Sequence, residues 1–321
     1  MRLLIPIVGL AAVGCASETQ FVYRSTVITE TDGVAMSDDG LTSFAAMGGL
    51  TCALDVRWGC PTTEDDLPTD EEQVLDHLDG LTLATSAETT LHFMDGGAWN
   101  PDRDMDVPSL KTARLSDAGL LTLTSADACA LEIDGVTHTV DAEFCGASAY
   151  EVDRRGAMLA ITDSGVLRAD ASGMTRLTDH GNLASVDLAH DLVFAATTGE
   201  DALRAVDVEG SEVWSVTLDQ PVRDLAARGD KGDVLVLTES ADGLGQIELL
   251  DGATGEGTLL GRVPSAEGSL EVSGNGRTIA LVFEGEVHHY EIVVEGEPTP
   301  VGEEVECQEL PIPNSPGVGF D

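Results

Sequence analysis

Short apolar runs alternate with polar turns rich in Asp and Gly along most of this chain. Asp38, Asp39 and Gly40 precede the run 41–46. Asp79 and Gly80 precede 81–85, and Ser116, Asp117 and Gly119 precede 120–124. Asp153 and Gly156 lead to 157–161, His190 and Asp191 to 192–196, and Asp230, Gly232 and Asp233 to 234–238. The last such turn holds Ser273, Asn275 and Gly276, ahead of 277–282. Taken at positions 40, 80, 119, 156, 191, 232 and 276, the turns recur at steps of 35 to 44 residues. A second element follows most runs, a strand closed by another Gly turn, as at Gly135, Gly173, Gly210 and Gly255.

A period near 40 residues, with four short strands in each unit, is the pattern of a β-propeller blade. The expected fold is all-β: a seven-bladed β-propeller of four-stranded antiparallel sheets, with six or eight blades open at the less regular ends. A β-sandwich would not need so constant a step. No long window shows 3.6-residue periodicity, and only residues 71–81 could hold a short helix. Residues 21–28 form a strand that could complete the blade built from 270–294 and so close the ring. The boundaries that follow are a leader at 1–14, a tether at 15–20, the propeller at 21–294 and an extended Pro-containing tail at 295–321.

Residues 203–216 resemble the quinoprotein-type propeller repeat, since Ala205, Asp207 and Gly210 precede Trp214. The next unit keeps Asp251 and Gly252 without the Trp. The Ser-Asp-x-Gly turns look equally like WD-repeat propellers. The resemblance implies a binding platform. It does not imply quinone-dependent catalysis, for the adjacent cysteine pair of those enzymes is absent. Trp58, Trp99 and Trp214 are too few for a regularly tryptophan-docked ring.

Composition narrows the choice of partner. The chain has 58 acidic and 16 basic residues, a net charge of −42. Only Lys111 and Lys231 are lysines. Such a surface repels nucleic acid and anionic headgroups, and suits cations, basic partners or salty water. A hydrophobic fraction of 42% excludes a disordered acidic chain.

The first residues add a location. Arg2 precedes an apolar stretch, residues 3–13, which is too short to span a bilayer. Ala12, Val13, Gly14 and Cys15 resemble the lipobox of bacterial lipoproteins, with Ala12 where Leu is usual. The resemblance implies cleavage before Cys15, acylation of its sulfur, and a protein held to a membrane on the periplasmic or outer side of the cell.

Export permits disulfides among Cys52, Cys60, Cys129, Cys145 and Cys307. Cys129 is expected to pair with Cys145, and Cys52 with Cys60 across a turn near Val56. Cys307 is left over or displaces one of the latter two. Asn100, Asp102, Asp104 and Asp106 place oxygen at every second position, which is how a calcium loop begins. The following glycine and the closing glutamate are missing, so the segment reads first as a solvated acidic loop and second as a calcium site. The acidic run at 64–72 reads as a solvated insertion. His288 and His289 adjoin on a strand and point to opposite faces. No nucleophile elbow or zinc-protease motif is present. The reading is a lipid-anchored, non-enzymatic binding or scaffold protein with an envelope protein as partner. No small-molecule substrate and no cofactor beyond that calcium candidate are implied. A metal-dependent propeller hydrolase and a purely structural surface protein are the alternatives.

Overall fold

The computed structural model describes residues 19–28, 34–47, 50–56, 60–61, 72–78, 80–86, 90–95, 98–125, 128–153, 155–187 and 190–294. The signal and Cys15, the run at 64–71, and the tail with Cys307 lie outside them.

These residues form seven antiparallel sheets, as the spacing of the turns predicts. From the axis outward, blade 1 is Val34–Met36, Thr42–Met47, Leu50–Asp55 and Cys60–Pro61. Blade 3 is Leu110–Ser116, Gly119–Thr124, Ala130–Ile133 and Val136–Thr139. Blade 4 is Ala149–Asp153, Ala157–Thr162, Gly165–Asp170 and Gly173–Thr178. Blade 5 is Leu183–Asp187, Leu192–Ala196, Ala202–Asp207 and Glu212–Thr217. Blade 6 is Val222–Ala227, Asp233–Glu239, Gly245–Asp251 and Gly257–Val263. Each innermost strand touches that of the next blade, and blade 7 touches blade 1, so the sheets form a ring.

Blade 7 uses both ends of the described chain. Ser269–Val272, Thr278–Phe283 and Glu286–Val294 are its inner three strands, and Thr19–Ile28 is its outermost. That strand pairs with Glu286–Val294 over its whole length, with a bulge at Arg24. Arg24 then reaches Glu291 as an ion pair.

Blade 2 departs from the pattern. Its first three strands are Glu72–Leu78, Leu81–Ser86 and Thr90–Asp95. The helix expected over 71–81 is absent, because Glu72–Leu78 is the innermost strand. Its register slips between Val74 and Asp76. The bulged Leu75 breaks the two-residue alternation of the strand and leaves an apolar spacing that imitates a helix. The fourth position is split between Ala98–Trp99 and Met105–Asp106, with one 3₁₀ turn, Pro101–Arg103, between them.

All seven turn residues read from the sequence join a first strand to a second, and all have positive φ. Gly40, Gly80, Gly119, Gly156, Gly232 and Gly276 lie between 68° and 109°, and Asp191 lies at 57°. In two of these turns a serine organises the bend. Ser37 Oγ donates to Asp39 and accepts from the Thr42 amide, and Ser273 does the same with Asn275 and Thr278. The turns also interlock: Thr278 Oγ1 donates to the Gly40 carbonyl, and the Asn275 amide to that of Asp38.

The core is a ring of apolar layers between blades. Ala157–Thr162 and Leu192–Ala196 are buried along their whole length, as second strands covered on both faces must be. Burial of each large aliphatic side chain contributes roughly 1.5–3 kcal/mol. Between blades 3 and 4 the chain makes a short helix, Ala142–Cys145. Asp141 caps it by accepting the Phe144 amide, and Phe144 is fully buried between the blades. Cys145 is joined to Cys129, with Cα atoms 5.9 Å apart and 16 residues of separation. In blade 1 the backbone partner of Cys60 is Asp55 rather than Cys52. The side chains of Cys52 and Cys60 are outside the described set.

Two stability measurements follow. The double variant Cys129→Ser, Cys145→Ser should lose about 3 kcal/mol in denaturant unfolding, as expected for a loop of this size. Reductant should destabilise the parent, whereas the double variant should not respond through this pair. Gly40→Ala should cost more than Gly80→Ala. Both incur about 1–3 kcal/mol of backbone strain. A Cβ on Gly40 would also lie 2.5 Å from Thr278 Oγ1, whereas one on Gly80 meets nothing within 4 Å.

Candidate functional site

The innermost strands surround an axial channel that widens, near the first-to-second-strand turns, into a cavity of about 340 Å³. Asp38, Gly229, Ser273 and Gly274 stand at the turn side, and Asp76, Glu151, Ser185 and Glu271 line the wall. In blades 2 to 5 the third residue from the end of the innermost strand is Asp76, Arg114, Glu151 and Ser185. The same structural place thus carries a polar side chain four times in succession.

Most of these groups reach the backbone of the next blade. Asp76 Oδ2 accepts the Leu115 amide at 2.8 Å, and Arg114 Nη2 donates to the Tyr150 carbonyl at 3.0 Å. Ser185 Oγ accepts the Ala227 amide at 3.0 Å, and Asp224 Oδ2 accepts the Leu270 amide at 2.6 Å. Asp76 and Asp224 each directly follow a bulge, at Leu75 and Arg223. A bulge adds twist and re-aims the next side chain, which here turns a carboxylate toward the neighbouring blade.

Glu271 and Glu151 line the cavity and remain accessible through its open side. Limited hydration raises the Glu271 carboxyl well above the usual glutamate range. Glu151 and Asp224 push it further up, Arg114 opposes them, and Asp76 adds to the rise. Burial lifts Asp224 to about 6, against the pull of the Leu270 and Leu225 amides. Several carboxyls close enough to repel one another cannot all ionise without a counter-charge. Arg114 is one such charge, and its guanidinium also holds Thr112 Oγ1 and the Ala113 carbonyl.

The sequence candidates lie elsewhere. Asn100, Asp102, Asp104 and Asp106 occupy the broken outer strand of blade 2 and do not converge. The Asn100 amide donates to Asp95, Asp104 meets His92 Nδ1 at 3.0 Å, and Asp106 accepts from Thr90. Among the described residues, no three or more His, Cys, Asp or Glu side chains are grouped to hold a metal ion. His288 and His289 have different partners, on the closing strand and in blade 1. Asp76, Arg114, Glu151, Asp224 and Glu271 were not singled out by sequence pattern. Their only signal is a charged residue within the short apolar strand before each turn.

No family model matches this sequence, and no curated protein matches it. Solved structures do resemble its fold. The RRP9 WD40 repeats superpose with a TM-score of 0.64 at 9% identity, covering 86% of this chain and 100% of that one. The β-propeller domain of Cps50 (Swd1) from Myceliophteria thermophila gives 0.61 at 10% identity, covering 85% and 100%. A chain of a mitotic checkpoint complex gives 0.59 at 12% identity, covering 91% and 99%. At such identities the likeness speaks for architecture alone, and the architecture is that of a WD40-like seven-bladed β-propeller.

Proposed function

We propose that this chain is a lipid-anchored cell-envelope propeller that binds a protein partner without catalysing a reaction, and that the partner inserts a basic side chain into the channel mouth. The observation that carries the reading is the channel itself. Asp38, Asp76, Glu151 and Glu271, from four blades, line one cavity, and the charge of Arg114 is felt at Glu271. A calcium ion needs its six to eight oxygens converging within about 2.6 Å, and the channel carboxylates are not so grouped. A guanidinium presents donors over a wider span and suits carboxylates spread around a wall. The net charge of −42 would draw such a partner in, and would do so less in high salt.

The anchor rests on the lipobox-like residues ending at Cys15. Only residues 16–18 separate Cys15 from Thr19–Ile28. At no more than about 3.6 Å per residue, that tether would hold blade 7 close to the lipid. Each buried acyl CH₂ contributes about 0.8 kcal/mol, so several chains on one cysteine give firm attachment.

Two experiments test the two halves separately. Expressed from its own leader in a bacterium, the parent should incorporate labelled fatty acid and sediment with membranes. Cys15→Ser should do neither, and equal sedimentation of both proteins would remove the anchor. For the channel, the probe is a Gly-Ser heptapeptide with blocked termini and one central arginine as its single charge, titrated calorimetrically at low salt. It should bind at one site and weaken at least tenfold in Glu151→Gln, Glu271→Gln. Equal binding by the matching citrulline peptide would refute a cation-recognising channel.

A further inference from the structure

The joint between blade 7 and blade 1 contains an imidazole with no access to solvent. His289 lies on Glu286–Val294, opposite Ser25 of the closing strand. The bulge at Arg24 brings Ser25 into that register. His289 and Ser43 are each 0% exposed and Ser25 is 7% exposed. Both ring nitrogens are engaged: Nδ1 lies 3.0 Å from Ser25 Oγ, and Nε2 lies 2.9 Å from Ser43 Oγ of blade 1.

The direction of these bonds follows from one fixed acceptor. Ser25 Oγ–H donates to the Val56 carbonyl of blade 1. Its oxygen must then accept from Nδ1–H of His289. That leaves Nε2 bare, and it accepts from Ser43 Oγ–H. The closing strand, the third strand of blade 7, and both Ser43 and Val56 of blade 1 thereby share one hydrogen-bonded chain, which is complete only with a neutral imidazole. Around it packs the apolar layer of the joint, which includes Val27, Ala45, Val56, Ala280, Val282 and Val287.

A second proton would put an N–H at Nε2 against a hydroxyl that already donates, and Ser43 would have to turn. It would also place a charge where water cannot reach. The charged and titratable groups acting on the ring are His288 of its own strand, which opposes protonation, and Asp55 of blade 1, which favours it. Burial acts with His288, and the two outweigh Asp55.

We propose that His289 is an acid-sensitive latch, whose protonation loosens the seam between blades 7 and 1 and leaves the other six seams closed. The latch does not depend on the lipid or on the channel ligand. In the folded chain, burial first and then His288 lower the imidazole from 6.5 to about 4. Between those values the unfolded or opened chain binds a proton that the closed joint refuses. The stabilising contribution is therefore complete above about pH 6.5 and is lost as pH falls toward 4. A gap of this size corresponds to a change on the order of a hundredfold in the opening equilibrium. Global unfolding is a poor readout, because the same acid relieves repulsion among the carboxylates.

Hydrogen exchange of the full chain, read by mass spectrometry and corrected for intrinsic rates, separates the two effects. From pH 7 to pH 4, amides in 42–47 and 286–290 should lose on the order of a hundredfold in protection relative to those in 192–196 and 234–237. His289→Gln should abolish that excess. A uniform loss around the ring, or the same local loss in His289→Gln, would overturn the latch. Should that variant fail to fold, the imidazole resonances of the parent still decide, since Ser43→Ala identifies the perturbed ring. One histidine must stay neutral to near pH 4, and seven histidines all titrating near 6.5 would refute the proposal.

Discussion

The pairing of Thr19–Ile28 with Glu286–Val294 is the constraint on which the ring depends. A propeller blade cannot bury its faces alone, so each of the seven needs a neighbour on both sides. Blades 1 to 6 are each built from one continuous stretch of chain, and blade 7 is not. Until the two ends meet, Glu286–Val294 presents an open hydrogen-bonding edge and the layer between blades 7 and 1 lacks Val27. Phe21 stacks on Tyr290 at 4.7 Å, Tyr23 meets the same ring edge-on, and Arg24 holds Glu291, so the pairing has side-chain support. The entropy of closing a loop of more than 250 residues rises only logarithmically with length. The expected consequence is slow closure rather than low stability.

Charge is arranged around that ring with the few cations used locally. Arg155, Arg168, Arg176, Arg223, Arg228 and Arg262 each pair with a carboxylate. Most of these pairs are partly exposed and individually contribute about 0–1 kcal/mol. Arg228 is the exception in position: it is buried, holds Asp233, and donates to the Gly276 carbonyl of blade 7. The acidic residues outnumber the basic ones by 58 to 16. On the outer surface water and salt screen this excess. In the channel screening is weaker, and there burial and neighbouring carboxylates push the Glu271 carboxyl well above the usual range.

Much of the architecture was legible because one local requirement repeats. A first-to-second-strand turn needs a residue at positive φ, and Gly or Asp supplies it in every blade. The Asp and Gly of the outer turns were legible for a related reason. Asp207 accepts the amides of Glu209 and Ser211, and Asp251 those of Ala253 and Thr254. Trp214, central to the repeat resemblance, donates to the Gly252 carbonyl of the next blade. Reading failed where one residue displaced a strand. Leu75 made Glu72–Leu78 look helical. The channel was illegible for a different reason. Asp76 lies 75 residues from Glu151 and 195 from Glu271, and nothing local to any of them says that they face one cavity.

The bulges connect those two failures. Slips at Leu75, Lys111 and Arg223 occur in innermost strands, next to Asp76, Thr112 and Asp224. A regular strand would alternate these polar groups into an apolar layer between blades, where an unpaired carboxylate is costly. With the slip, Asp76 and Asp224 meet a backbone amide of the next blade while staying beside the channel. One such bond both fixes the angle between adjacent blades and holds a carboxylate at the wall. The irregularity that hid the inner strand of blade 2 from sequence pattern thus sets the place of Asp76, whereas Glu151 and Glu271 reach the channel from regular strands. A substitution that removed the bulge at Leu75 would be expected to disturb the packing of blade 2 on blade 3 and the placing of Asp76 together, because one carboxylate serves both.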